Sequence, residues 1–374
     1  MTDRLPGQAV DAGTDDPVIL RIIRERVDEK RSAGIVVGIL DPDGRTRVVA
    51  YGDPGPGQPP LDADSVFEIG SVTKVFTTTL LAEMVERGEV RLDDPVRKFL
   101  PPMVRVPARG GREITLQDLA TQTSGLPRLP GNLGLRDAGN PYAEYTVEQL
   151  YTFLSEYELP RDVGSQFEYS NLGLGLLGHA LALRAGTTYE NVLRERIVQP
   201  LQMTMTGIAL TPALQQHLAV PHGARGETVP VWDMPTLAGG GAIRSTAADM
   251  LRFAAANLGS GSGPLDRAMT GARVPQYPLG AQQWIGLGWQ IFRAFERDIS
   301  WHNGETGGSH AFVGLDPGQH SAVVVLSNSA ASIDDIGWHL LDARFPLDTP
   351  IARREIQGDC RSPGHGCSAA QSGR

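Results

Sequence analysis

Three groups of residues carry side chains whose types and spacing suit acyl-transfer chemistry. Ser71 and Lys74 stand three apart in the segment Phe67-Glu-Ile-Gly-Ser-Val-Thr-Lys74. On a helix that spacing puts both side chains on one face. The stripe runs on through Thr78, Leu81 and Val85, while Glu83, Glu86 and Arg87 gather opposite. A lysine on such a core-facing stripe is desolvated, and burial disfavours its ammonium form, leaving an amine able to take a serine proton. Ser71 follows Gly70 at the helix start, where free N–H groups and the helix dipole favour a developing oxyanion. Taken alone, Ser-x-x-Lys also fits a simple cap and a snorkelling lysine. The second group is Tyr169-Ser-Asn171, in a turn between Gly164 and a helix at Leu172. The third is His302-Asn-Gly304, at the end of a strand and followed by Glu305.

The elements that must position these groups are legible from pattern. Pro17 to Arg31 reads as an amphipathic helix with Ile19, Ile22, Ile23 and Val27 on one face. Ile35–Leu40 and Thr46–Tyr51, joined by Asp41-Pro-Asp-Gly44, form a β-hairpin in which proline sets φ and glycine permits the turn. The helix bearing Ser71 and Lys74 closes at Gly88. From about Leu92 to His222 the pattern is helical, the best segments being 115–120, 146–157 and 172–184. Strand-like segments return after about Val229, at 289–292, 299–302, 311–315 and 321–327, the last two joined by the turn Asp316-Pro-Gly-Gln319. A helix over 333–344 closes the pattern.

Strands at both ends with helices between them predict an α/β (α+β) fold. One antiparallel sheet is built from N- and C-terminal segments and flanked by helices, with a mostly helical domain inserted. The boundaries expected are a polar leader over 1–15, an α/β domain over 16–80 and 230–350, the insertion over 81–229, and a disordered tail over 351–374.

Composition narrows the function. A net charge of −9 over 374 residues opposes nucleic-acid binding, which needs clustered basic residues. No stretch reaches the roughly 20 apolar residues of a membrane span. The first residues lack a signal-peptide pattern, so a cytoplasmic location is expected, or a secreted one if a leader has been removed. Cys360 and Cys367 both lie in the tail, away from any core disulfide. The histidines show no tight metal-ligand pattern, and no cofactor or metal is expected. Gly307-Gly-Ser-His-Ala311 precedes a strand, so Ser309 is read as structural; Trp301 is read as sheet core, with a substrate platform beside His302 as the alternative, and Asp249 as capping or facing a helix. Gly239–Gly241 is read as a strand entry.

Together, Ser-x-x-Lys, Tyr-x-Asn and His-x-Gly occur in an order and on elements that resemble the penicillin-recognising serine hydrolases. The likeness is to the group of class C β-lactamases, D,D-peptidases and family VIII esterases. It runs from about Ile19 to Phe345 and includes Thr123-Ser-Gly-Leu-Pro127, Arg244-Ser-Thr246 and the stretch 307–312. It implies that Ser71 is the acylated nucleophile and that Lys74 and Tyr169 exchange its proton, with the base left open between them. It further implies that a Tyr169 phenolate would be favoured by the Lys74 ammonium, that Asn171 meets the substrate's acyl-side amide, and that the N–H groups of Ser71 and Glu305 form the oxyanion hole. His302 stands where many β-lactamases carry a lysine that contacts the substrate carboxylate, and Gly304 would admit substrate to the strand. A neutral imidazole at 302 weakens the case for efficient β-lactam hydrolysis. The expected substrate is a small ester, amide or β-lactam. An esterase or amidase is placed first, a β-lactamase or D,D-carboxypeptidase next, and a transacylase on the same acyl-enzyme as a further alternative.

Overall fold

The computed structural model describes residues 16–134 and 137–348. The expected leader and tail, with Cys360 and Cys367, lie outside the described residues. Eight antiparallel strands form the central sheet: β1 (Gly34–Leu40), β2 (Thr46–Gly52), β3 (Tyr277–Gly280), β4 (Gln283–Ile285), β5 (Gln290–Ala294), β6 (Arg297–Glu305), β7 (His310–Asp316) and β8 (Ser321–Ser327). Their order is β2-β1-β8-β7-β6-β5-β4-β3, so the N-terminal hairpin joins the C-terminal meander through β1 and β8. The sequence pattern does not announce β3 and β4. They are short, and they carry Pro278, Gly280 and Gln283 where a sequence signal would need alternation.

The sheet is covered on both sides, which explains why β1 and β7 read as continuous apolar runs. On the outer face Ile35, Val37, Phe312 and Val325 pack against α1 (Asp16–Asp28), through Ile19 and Ile23, and against the C-terminal helix Asp334–Leu341, through Ile336. On the inner face Val36, Val313 and Val324 belong to the main core, with α2 (Thr73–Glu86) and α3 (Ala247–Leu258). Trp301 packs on the outer face against Phe312 and Trp338, a sheet-core position as expected.

Helix α2 departs from the amphipathic picture. Every residue from Thr73 to Met84 is buried, including Glu83. It is a central helix, packed against the helix Pro264–Ala272 on one side and against the helix Asn171–Ala185 and the turn Ala238–Gly240 on the other, so these positions have no face left for solvent. It also runs unbroken past residue 81, where the sequence pattern suggests a domain boundary, and one apolar core spans both parts. Asp249 sits at N3 of α3, whose N-cap is Thr246; its carboxylate accepts from the Met205 N–H and the Thr206 hydroxyl, both at 2.8 Å, and ties that loop to the helix instead of capping it.

Candidate active site

Ser71 lies in a 3₁₀ turn, Gly70–Val72, that leads into α2; the α-helix itself begins at Thr73. Two glycines press this turn onto the end of β6. Gly70 has φ +49, and a Cβ there would stand 2.7 Å from the Glu305 nitrogen. A Cβ on Gly304 would stand 2.0 Å from the Ile69 oxygen and 2.7 Å from the Ser71 nitrogen. Gly304 therefore serves the approach of the nucleophile's own turn, a correction to its expected role of admitting substrate.

This contact brings two amides together. The first hydrogen bond of the turn runs from Val72 N–H to Ile69 O, so the Ser71 N–H precedes the bonded ladder. Thr306 N–H donates to Ser309 O, and the antiparallel alternation then leaves Glu305 opposite His310 in a non-hydrogen-bonded pair. Its N–H points to the other side of β6, where pairing with β5 ends at Trp301. The amides of Ser71 and Glu305 thus face one space beside the Ser71 hydroxyl, while the Glu305 side chain is exposed.

Lys74 is fully buried. Its Nζ lies 2.9 Å from Ser71 Oγ, 2.8 Å from Asn171 Oδ1 and 2.6 Å from the Gly240 oxygen. Burial holds its pKa well below the usual lysine range, and the nearby Arg128 charge adds to the effect. In the amine form two N–H bonds serve Asn171 and Gly240, and the remaining lone pair faces Ser71 Oγ. The Gly240 acceptor has no counterpart in the sequence pattern, which suggests a strand entry at Gly239–Gly241. Gly239 and Gly240 lie in the 3₁₀ turn Ala238–Gly240, packed close to Asn171, and the short strand Arg244–Ser245 follows it.

Tyr169 and Asn171 are fixed by the loop that contains Thr123-Ser-Gly-Leu-Pro127. Gln122 binds the Ser170 N–H through Oε1 at 2.7 Å, and the Ser170 hydroxyl donates to Pro127 O at 2.6 Å while capping α-helix Asn171–Ala185. The Asn171 N–H donates to Arg128 O at 3.0 Å. Asn171 Nδ2 donates to the Tyr142 hydroxyl at 3.3 Å. The Tyr169 ring lies 4.8 Å from Lys74 Nζ. Burial pushes the Tyr169 phenol up to about 12, against the opposing pull of the Ser71 hydroxyl and the Arg128 charge. Of the two bases the sequence leaves open, a Tyr169 phenolate is therefore disfavoured: with Lys74 held as an amine, no ammonium stands by to stabilise it.

His302 is fully buried, its ring centroid 6.5 Å from that of Tyr169. Burial lowers its pKa to about 4. Nδ1–H donates to the Asn303 oxygen at 2.5 Å, which leaves Nε2 as a bare buried acceptor with no partner among the described residues. Such a group suits a donor on a ligand and repels a carboxylate, so the expected carboxylate contact is not what this ring offers. Asn303 points to the opposite face, donating to Asp334 at 2.6 Å, and His310 meets the same carboxylate at 3.0 Å.

Two groups at the site carry no signal in the sequence. Glu68 is a buried carboxyl, its pKa raised by burial, that accepts from Trp232 N–H at 2.6 Å and from the Thr306 hydroxyl at 2.9 Å. It ties the 232 loop to the β6–β7 turn. Arg128 is exposed, with its guanidinium 5.0 Å from the Tyr169 ring centroid. The type of each residue is uninformative, because both act through loops that meet only in the fold.

Residues 19–342 match the model of the family described as Beta-lactamase. The chain is 35% identical to the D-alanyl-D-alanine-carboxypeptidase/endopeptidase AmpH of Escherichia coli (strain K12), over 72% of each chain. It is 29% identical to penicillin-binding protein 4 of Amycolatopsis lactamdurans, over 73% of this chain and 74% of that one. Its fold is similar to that of a β-lactamase/D-alanine carboxypeptidase from Pseudomonas syringae, with a TM-score of 0.76 and 21% identity, covering 88% of this chain and 99% of the other. A class C β-lactamase superposes comparably, with a TM-score of 0.77 and 21% identity over 87% and 95% of the two chains.

Proposed function

We propose, from the premise that the chain belongs to the β-lactamase family of serine hydrolases, that Ser71 is acylated with Lys74 as its base and Tyr169 as the acid for the leaving group. The observation that carries this is the triad of acceptors around Lys74. Asn171 and Gly240 take the amine's two N–H bonds, and the lone pair is left for the serine proton. Ser71 Oγ then bonds to the substrate carbonyl carbon as its proton passes to Nζ. The oxyanion is received by the Ser71 and Glu305 amides, an arrangement in which removal of one donor typically costs about 10²–10³ in rate. Collapse breaks the bond to the leaving nitrogen or oxygen, which takes the Tyr169 proton. The phenol is reprotonated from Lys74. A phenol held near 12 suits this donor role better than the role of initial base.

Among substrates, this reading puts peptides ending in D-alanyl-D-alanine first. AmpH is named for carboxypeptidase and endopeptidase action on that linkage, and the relative covers most of the chain. The neutral His302 favours a second reading, the ester or amide hydrolysis that the sequence placed first, on substrates without a carboxylate at that position.

A fluorescent penicillin and an activated-ester probe are expected to label the protein at Ser71, with Ser71→Ala unlabelled. Labelling of that variant at the parent level overturns the assignment. Parallel assays with p-nitrophenyl butyrate, nitrocefin and a D-Ala-D-Ala peptide rank the substrates, and dominant nitrocefin turnover would put β-lactams ahead of both peptides and esters.

A further inference from the structure

We infer that Arg128 reads a carboxylate on the leaving group of the substrate. The inference rests on the acyl-enzyme reading above and adds to it the substrate feature that the site selects.

Arg128 is exposed at the mouth of the site, and its guanidinium makes no hydrogen bond or ion pair among the described residues. Some exposed arginines are matched with acids, as Arg45 is with Asp41 and Arg97 with Glu113, while Arg128, like Arg24 over Tyr51, has an aromatic face instead. Arg128 is held instead by the face of Tyr169, a contact that orients a guanidinium without neutralising it. Its backbone is equally fixed. The Arg128 oxygen accepts from the N–H groups of Asn171 at 3.0 Å and Leu172 at 3.3 Å. The backbone of Arg128 is therefore held against the Tyr-Ser-Asn turn, and its side chain reaches the Tyr169 ring from there.

The location selects which part of the substrate it meets. Tyr169 delivers a proton to the leaving atom, so a guanidinium 5.0 Å from the centre of its ring is within reach of a group carried on the leaving atom. In a peptide that loses a C-terminal amino acid, the α-carboxylate is two bonds from the leaving nitrogen. His302 cannot serve that carboxylate, since its free nitrogen is an acceptor. Lys74 is fully buried and committed to Ser71, Asn171 and Gly240. A guanidinium fork offers the planar, two-pronged match that a carboxylate requires.

The test uses two aryl esters with the same phenylacetyl-glycyl acyl group, one leaving as m-hydroxybenzoate and the other as m-hydroxybenzamide. Both give the same acyl-enzyme on Ser71, so deacylation is common to them and the ratio of their kcat/KM values reports recognition of the leaving group alone. The parent is expected to favour the carboxylate ester. Arg128→Gln is expected to lower that preference by about tenfold to a hundredfold, and Arg128→Lys to restore part of it. A parent without preference, or an Arg128→Gln variant that slows both esters equally, overturns the inference. Either result leaves Ser71 acylation standing. Failure of both esters to acylate Ser71 in the parent would instead remove the acyl-enzyme reading itself.

Discussion

Helix α2 buries two ionisable side chains nine positions apart and treats them in opposite ways. Glu83 lies in the core with Arg87 and Arg196 on its carboxylate, Arg196 at 3.2 Å. Lys74, on the same helix, has no carboxylate partner among the described residues and three neutral oxygens around its nitrogen. A charge wanted only for structure is paired, because an unpaired buried ion costs several kcal/mol. A base wanted for chemistry is left unpaired, because a carboxylate beside it would hold it as an ammonium. The partners alone thus separate the functional lysine from the structural glutamate, without reference to either one's neighbours in sequence.

The contrast is most exposed to test at Lys74. Lys74→Met is expected to slow acylation of Ser71 by about 10²–10⁴, the usual range for loss of a positioned base. Stopped-flow measurement with the activated ester checks this, and a loss below tenfold places the base elsewhere. Stability supplies an independent check. The folded-state pKa of Lys74 is depressed well below 10.5, so the unfolded chain binds more protons from that depressed value up to 10.5. Stability of the parent therefore rises with pH through that window. Whatever the offset from lost hydrogen bonds, urea denaturation should show the parent gaining on Lys74→Met between about pH 7 and about pH 9.5. A pH-independent gap would mean that the lysine is charged in the fold.

How much of this is legible in the sequence depends on whether the cause is local. The hairpin around Asp41-Pro-Asp-Gly44 and the start of the helix after Ser170 carry their own turn and cap chemistry, and both form where the pattern puts them. Ser71, Lys74, Tyr169, Asn171, His302, Gly304 and Glu305 all meet at one place, as motif order implies. Their roles are less legible. The turn acceptor at Gly240 is a backbone oxygen, and no side-chain type announces it. The state of His302 depends on a tautomer fixed by the Asn303 carbonyl. Gly304 answers to Ile69 and Ser71, residues more than 200 positions away in the chain. Helical periodicity puts Glu83 on an exposed stripe because it assumes one wet face, and α2 has none.

A smaller effect is expected at Glu83, and in stability instead of rate. Glu83→Gln keeps the shape but removes the charge that two guanidiniums meet. Arg87 is half exposed and Arg196 partly so, with side-chain exposures of 46% and 23%, so water takes over much of the lost interaction. A loss of about 1–3 kcal/mol by chemical denaturation is expected, with Ser71 labelling retained in the folded fraction. A variant that stays fully stable yet fails to label would place Glu83 in the catalytic network and erase the contrast drawn between the two ends of α2.

The smallest effect tests the same division across a strand. Along β6, His302 and Gly304 face α2 and the nucleophile's turn, while Asn303 faces the C-terminal helix and donates to Asp334 at 2.6 Å. Asn303 stands between His302 and Gly304 in the sequence, yet its side chain lies on the far side of the sheet from Ser71. Asn303→Ala removes one partly buried hydrogen bond to a carboxylate that His310 also contacts, so Asp334 keeps a partner. A loss near ~1 kcal/mol is expected in denaturant, together with a change in acylation rate of no more than a few-fold. A rate loss comparable to that of Lys74→Met, in a variant of ordinary stability, would show that the outer face of β6 sets the position of the Glu305 amide. The division between a structural and a chemical face of that strand would then have to be redrawn.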